Sequence, residues 1–149
     1  MTNRRGFSLT ELTVALALIG VISALAAPTL YDATDSNDIL TVKRIVVTHF
    51  TAAQSSAVQR GRQVAVHIEQ DSIWLAVVKT GGDSAITQKR SLTEVVSDVE
   101  SSATTVVYDS RGFGSQLPLT GVKVRIHGIS ASDSVCVTRT GMVLQRGCI

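Results

Sequence analysis

Glu11 stands at the head of the apolar stretch "LTVALALIGVISALAAPTL", where a carboxylate is costly and therefore asks for a partner. A charged side chain at mid-bilayer costs about 2.5–3.5 kcal/mol on insertion scales, so an acid beside such a run is read first as functional. Few other residues have types and spacing suited to chemistry. His49, His67 and His127 are scattered, without the paired spacing of a zinc site. No nucleophile-elbow pattern accompanies the serines, and neither Gly81-Gly82 nor Gly112/Gly114 has the setting of a phosphate-binding loop. The sequence thus predicts no enzyme, no metal and no cofactor. Trp74 reads as a core or sheet-capping residue, with ligand stacking as the alternative.

The elements that must carry these residues begin with the apolar run itself. Leu12 to Leu30 is 19 residues without a formal charge, long enough to cross a bilayer as a helix. Only 4% of the 149 residues are aromatic, so a core beyond residue 60 must be built from Val, Ile and Leu, which suits strands. The net charge of +2 gives no strong argument for an acidic partner. Loss of the first six residues would remove Arg4 and Arg5 and leave 12 basic against 12 acidic side chains.

Three readings of the N-terminus are open. Ala24-Leu25-Ala26 supplies a small-x-small pattern for a secretory signal, making the chain a soluble exported periplasmic protein. Arg4-Arg5 followed by Phe7 suits a twin-arginine signal. Neither has a use for Glu11. In the third, "RRGFSLTELTVALALIG" resembles the leader of type IV pilins and pseudopilins, with a short basic segment ending in Gly6, then Phe7, then a hydrophobic helix whose fifth residue is Glu11. Pro28 falls where pilins often carry a proline.

That resemblance implies cleavage between Gly6 and Phe7 by a prepilin peptidase, N-methylation of Phe7, anchoring in the bacterial inner membrane by a single pass with a periplasmic C-terminal domain, and assembly with other pilin or pseudopilin subunits. Glu11 lies one helical turn from the new amine, so in a stack of parallel helices its carboxylate can meet a neighbour's terminus and fix axial register. Breaking such a buried pair leaves an uncompensated charge, at a cost of roughly 3–5 kcal/mol. At Pro28 a bend or melted turn is expected, and the polar "LYDATDSND" after it favours loosening.

A helical period resumes after Asp38. Ile39, Val42, Val46, Phe50, Ala53 and Ala57 share one face, while Thr41, Arg44, Thr48, Thr51, Ser55 and Gln59 share another. Arg60-Gly61 supplies a C-terminal stop. Alternation then takes over: "QVAVHIE" and "SIWLAVVK", joined by Asp71-Ser72, read as a hairpin, and "TTVVY", "GVKVRIH", "SVCVT" and "MVLQR" as strands. Residues 86–102 are ambiguous between strand and helix.

"SSAVQRGRQVAVHI", "VVYDSRGFGS" and the closing segment from Cys136 to Cys148 are similar to the GspH/FimT family of minor pilins and pseudopilins. In an exported chain Cys136 and Cys148 are expected to form a disulfide, with free buried thiols as the alternative. A two-residue turn pairing Arg139 with Met142 would put Cys136 opposite Gln145, so closing the bond requires a bulge or a returning tail, which Gly147 permits. Some FimT-type pilins capture DNA, and Arg111, Lys123, Arg125, Arg139 and Arg146 are the residues available for a cationic patch. The family's Gly-Arg-x-Arg pattern is absent, since Met142, Val143 and Leu144 follow Gly141; nucleic acid is the lesser alternative.

The expected architecture is α+β and type IV pilin-like: a leader over 1–6, a transmembrane and polymerisation helix over 7–30, an amphipathic second half over 31–61, and an antiparallel β-sheet domain over 62–149. The expected function is a structural minor pilin or pseudopilin that assists assembly of a type IV pilus or a type II secretion pseudopilus.

Overall fold

The computed structural model describes residues 8–79, 86–92, 96, 98–115, 117–145 and 148, with backbone alone for 26–31 and 86–88. The chain divides into two compact units, Met1–Thr34 and Asp35–Ile149, and one helix, α1 (Leu9–Arg60), contributes to both. Its start is capped locally. The Ser8 carbonyl accepts from the Leu12 amide at 3.2 Å, and the Ser8 amide donates to Glu11 Oε2 at 3.3 Å, one half of a capping box.

In the first unit the large apolar side chains from Leu9 to Leu25 are between 56 and 79 % exposed. They point to all sides of the helix, so no stripe among them could seat on a core. Among the described residues no helix is long and apolar enough to cross a membrane. The expected span over 7–30 begins and ends outside the described side chains.

The loosening expected after Pro28 is not present: helical backbone runs unbroken through residues 28–38. Proline removes one donor from the ladder, which alone does not end a helix whose flanking turns are intact. Asp35, taken above as part of a weak segment, is fixed by contacts described below.

In the second unit the helix is one-sided. Ile39, Val42, Val46, Phe50, Ala53 and Ala57 are all buried, and the polar face from Thr41 to Gln59 is exposed. The helix ends as a paired turn, the Gly61 amide donating to the Val58 carbonyl at 3.3 Å and the Arg62 amide to the Ala57 carbonyl at 3.2 Å.

Two antiparallel sheets face this stripe. The first has five strands in the order β3 (Ile86–Ser91), β2 (Ser72–Val77), β1 (Val64–Ile68), β5 (Thr105–Tyr108), β6 (Gly114–Ser115). The second has four, β4 (Asp98–Ser101), β7 (Val122–His127), β8 (Ser132–Val137), β9 (Val143–Leu144). Alternation decides the faces: Val64, Val66, Ile68, Val106 and Tyr108 of the first sheet and Val99, Val122, Val124, Ile126, Val135 and Val137 of the second join the helix stripe in one core.

Three local readings change. Ser72 belongs to β2, paired with Ser91, and is not a turn residue. The ambiguous 86–102 segment supplies β3 and β4, two strands of different sheets with buried Leu92 between them. The last hairpin has a three-residue loop, since Thr138 donates to the Met142 carbonyl at 2.9 Å and Cys136 faces Leu144. Gly141, at φ 83°, supplies the left-handed residue that this loop requires. Cys136 and Cys148 are joined by a disulfide, with Cα atoms 5.1 Å apart.

One core feature breaks the apolar pattern. The Tyr108 hydroxyl is fully buried and has no hydrogen-bond partner among the described residues, and burial pushes its pKa up. Tyr108→Phe removes an unsatisfied polar atom while keeping the ring. Urea denaturation should show stability unchanged or raised by up to about 1 kcal/mol; a loss of that size would mean that the hydroxyl is satisfied.

Candidate functional site

The residues with a proposed chemical role fall into separate places. Gly6, Phe7 and Arg146 lie outside the described residues. Glu11 is exposed in the first turn of α1, with one carboxylate oxygen engaged by the Ser8 amide. The sequence reading missed that local role, although Ser8-Leu9-Thr10-Glu11 fits the Ser-x-x-Glu capping signature.

The most heavily bonded acid was also missed. Asp35, only 9 % exposed, accepts the Ile129 amide at 2.8 Å, the Ser130 amide at 2.8 Å, the Ser130 hydroxyl at 3.0 Å and the Ala131 amide at 3.1 Å. Three successive amides of the β7–β8 turn thus form a concave nest around a helix carboxylate. The Ile129 and Ser130 amides above all hold Asp35 below the usual carboxyl range, overcoming the opposite effect of burial, with Ser130 hydroxyl and Ala131 amide adding to them. Gly128 makes the approach possible, because a Cβ there would collide with the Asp35 carboxylate. No pattern within "LYDATDSND" marks this acid, since its donors lie more than ninety residues away.

Two further side chains fasten the same helix. Lys43 Nζ meets Asp133 Oδ2 at 2.6 Å on β8, and Gln54 Nε2 donates to the Gly112 carbonyl at 3.1 Å. Burial tends to raise the Asp133 pKa, but the Lys43 ammonium and the Ser134 amide together outweigh it and the net shift is downward. Asp109 shapes the β5–β6 loop: the Phe113 amide chiefly lowers its pKa, burial opposing, with the Arg111 amide and guanidinium contributing.

The proposed cationic patch is not brought together. Arg111 and Arg139 line one groove with Phe113, whereas Lys123 and Arg125 line others on the second sheet. Arg111 is paired with Asp109 at 3.2 Å and Arg125 with Glu100 at 3.5 Å. The histidines are equally dispersed. His49 bonds the Ile45 carbonyl at 2.7 Å, His127 lies 3.8 Å from Glu100, and His67 stacks on Trp74 with ring centroids 5.1 Å apart. Trp74 is half-buried on the outer face of the first sheet, beneath the Lys89 ammonium at 4.8 Å. Among the described residues no three His, Cys, Asp or Glu side chains are grouped to hold a metal ion.

This fold and its N-terminal pattern match known families. The model described as type II transport protein GspH matches residues 45–141, about two thirds of the chain. The chain belongs to the GspH family. The model described as the prokaryotic N-terminal methylation motif matches residues 1–27 of this GspH-family protein. Two crystal structures of the type IV minor pilin FimU from Pseudomonas aeruginosa (strain PAO1) share its fold. One has a TM-score of 0.64 at 13% identity, covering 76% of this chain and 91% of that one; the other has 0.57 at 12%, covering 70% and 90%. No curated protein matches the GspH-family chain. At such identities the likeness to FimU is one of fold alone.

The lowered pKa values set a pH window. A carboxyl whose folded pKa lies below its unfolded value of about 3.9 contributes stability that is complete above that value and lost as pH falls through the folded one. Asp35, Asp109 and Asp133 all act in that direction. The denaturation midpoint should therefore hold between neutral pH and about 5 and drop below about 4. Asp35→Asn should lower the midpoint at neutral pH and flatten the acid limb; a wild-type fall beginning near pH 6 would contradict the assignment to these carboxylates.

Proposed function

We propose that this chain is made as an inner-membrane precursor, cleaved after Gly6 by a prepilin peptidase, N-methylated on Phe7, and then incorporated as a minor subunit of a pilin-like filament. Supporting the reading are the methylation-motif match over residues 1–27 and the family match over 45–141. The single observation that carries it is the exposure of apolar side chains on every side of α1 between Leu9 and Leu25. A surface of that kind is stable only in lipid or against other apolar helices. Residues 7–30 would supply the bilayer anchor first and the filament core later, and the β-sheet domain the surface that meets neighbours. Pro28 would be the place where α1 bends once packed. The name FimU belongs to a type IV pilus and the family description to type II transport, so the reading covers a filament subunit of either kind.

Within this scheme Glu11 sets axial register by pairing with the Phe7 amine of a neighbour. Cleavage creates that amine, and methylation keeps its charge. Burying the pair adds little net stability, but an unpaired Glu11 in the same place is strongly disfavoured, so only one register is tolerated.

Mass spectrometry of protein from membranes should find a chain beginning at methylated Phe7; a chain beginning at Ala27 would eliminate the scheme in favour of a cleaved export signal. The capping role of Glu11 can be separated from the register role. Glu11→Gln keeps a capping-box side chain but removes the charge. The variant precursor should insert and be cleaved normally yet enter filaments poorly, and normal incorporation would contradict the register hypothesis.

A further inference from the structure

Among the described residues Ile129 is the most exposed large apolar side chain, at 91 %. It sits in the β7–β8 turn, whose four successive amides all find acceptors inside the protein. The Gly128 amide donates to the Ala131 carbonyl at 2.9 Å, and the Ile129, Ser130 and Ala131 amides donate to the Asp35 carboxylate. The Ser130 hydroxyl donates there too. From Gly128 to Ser132 no side chain carries a formal charge, and Asp133 just beyond is paired with Lys43. A turn built this way can enter lipid at little polar cost. Loops are normally kept out of a bilayer by amides that would lose water and find no other acceptor. Here no amide of the turn would be left unpaired, and its outermost group is a hydrocarbon side chain.

The bond to Asp35 also ties the turn to one point of α1. The uncharged run ends at Leu30, five residues before Asp35. Five residues span about 7.5 Å as a helix and at most about 18 Å when fully extended. The head-group layer is itself about 5–7 Å deep on each side of the hydrocarbon. Once the run is anchored, the turn is within reach of that layer whatever path those five residues take. A single exposed isoleucine binds a membrane weakly by itself, but the anchor makes its contact intramolecular and so raises its effective concentration.

We propose that Ile129 and the β7–β8 turn dock on the zwitterionic head-group layer of the membrane that holds α1, giving the β-sheet domain a second point of attachment until the subunit leaves the bilayer. The inference rests on the anchored-precursor reading. Asp32 and Asp38, on the same stretch of α1, oppose an anionic surface, and the turn offers no cation to bind one, so the surface it fits is neutral lipid. Leu119, 87 % exposed, provides an internal control. It precedes β7 as Ile129 follows it, so the two are separated by at least the length of that strand, about 20 Å.

The test reconstitutes the full chain in phosphatidylcholine vesicles with an environment-sensitive fluorophore on one introduced thiol; Cys136 and Cys148, being joined, do not compete for the label. Ser132→Cys reports on the turn with Ile129 retained, Leu119→Cys on the other end of β7, and Leu18→Cys on the anchor. The Ser132 label should emit to the blue of the Leu119 label and be quenched at least about twofold more strongly by lipid carrying a nitroxide near its head group. Adding Ile129→Ser should abolish both differences while the thermal midpoint stays close to that of the parent, and phosphatidylglycerol should not strengthen them. A Ser132 label as water-exposed as the Leu119 label, indifference to Ile129→Ser, or quenching that requires phosphatidylglycerol would each overturn the proposal. So would a blue shift that grows with protein density and is not quenched by lipid, which would assign Ile129 to a contact with another copy. A Leu18 label quenched by lipid in the same vesicles leaves the anchor reading standing whichever of these is found, whereas a Leu18 label in water removes both.

Discussion

One helix is required to satisfy two environments, and the distribution of apolar residues along α1 is the constraint on which the rest depends. Between Leu9 and Leu25 those residues lie on every side, whereas between Ile39 and Ala57 they recur only at spacings of three and four. The second pattern is what makes a globular domain. Val42, Val46 and Phe50 are fully enclosed because both sheets turn their apolar faces onto the same stripe. Removing so large a buried side chain as Phe50 would cost about 3–5 kcal/mol, a sizeable part of the stability of a domain this size.

Burial is non-directional and cannot by itself decide how the helix sits along the strands. Polar contacts do that at intervals. Asp35 satisfies three turn amides near one end of the packed segment, Lys43 meets Asp133 about two turns on, and Gln54 binds Gly112 near the other end. Each of these contacts pairs a helix side chain with a loop or strand of the β-sheet layer. The β7–β8 turn and the Asp109 loop are therefore held from below as well as along their own backbones, which fixes the side chains they display.

Sequence pattern revealed the parts governed by local periodicity. The six buried helix positions, the polar opposite face, the stop at Gly61 and the inward alternation of Val122, Val124 and Ile126 all follow from spacing alone. Where signals were weak, the reading faltered. β3, "ITQKRS", has no hydrophobic alternation and is a strand because β2 offers it an edge; the last hairpin departs by one residue because Gly141 suits a three-residue loop better than a two-residue one. Asp35 was illegible for a different reason. Its meaning comes from amides distant in sequence, and the same residue type in a polar run ordinarily weakens a helix. The cationic residues illustrate the converse: counting them suggested a patch, but three-dimensional placement divides Arg111 and Arg139 from Lys123 and Arg125.

Glu11 joins these levels. Its capping bond to the Ser8 amide uses one carboxylate oxygen and orients the other, so the local structure already pays part of the cost of placing an acid beside an apolar helix. A capping amide is a neutral donor and does not cancel a carboxylate's charge. On the proposed reading, an amine from a neighbour is then needed only to cancel that charge, not to position it, and the pairing can select among registers without contributing much to the strength of the assembly. Strength would come from the apolar residues on all sides of the helix, which lack directional preference, and specificity from the one group among them that cannot be buried alone.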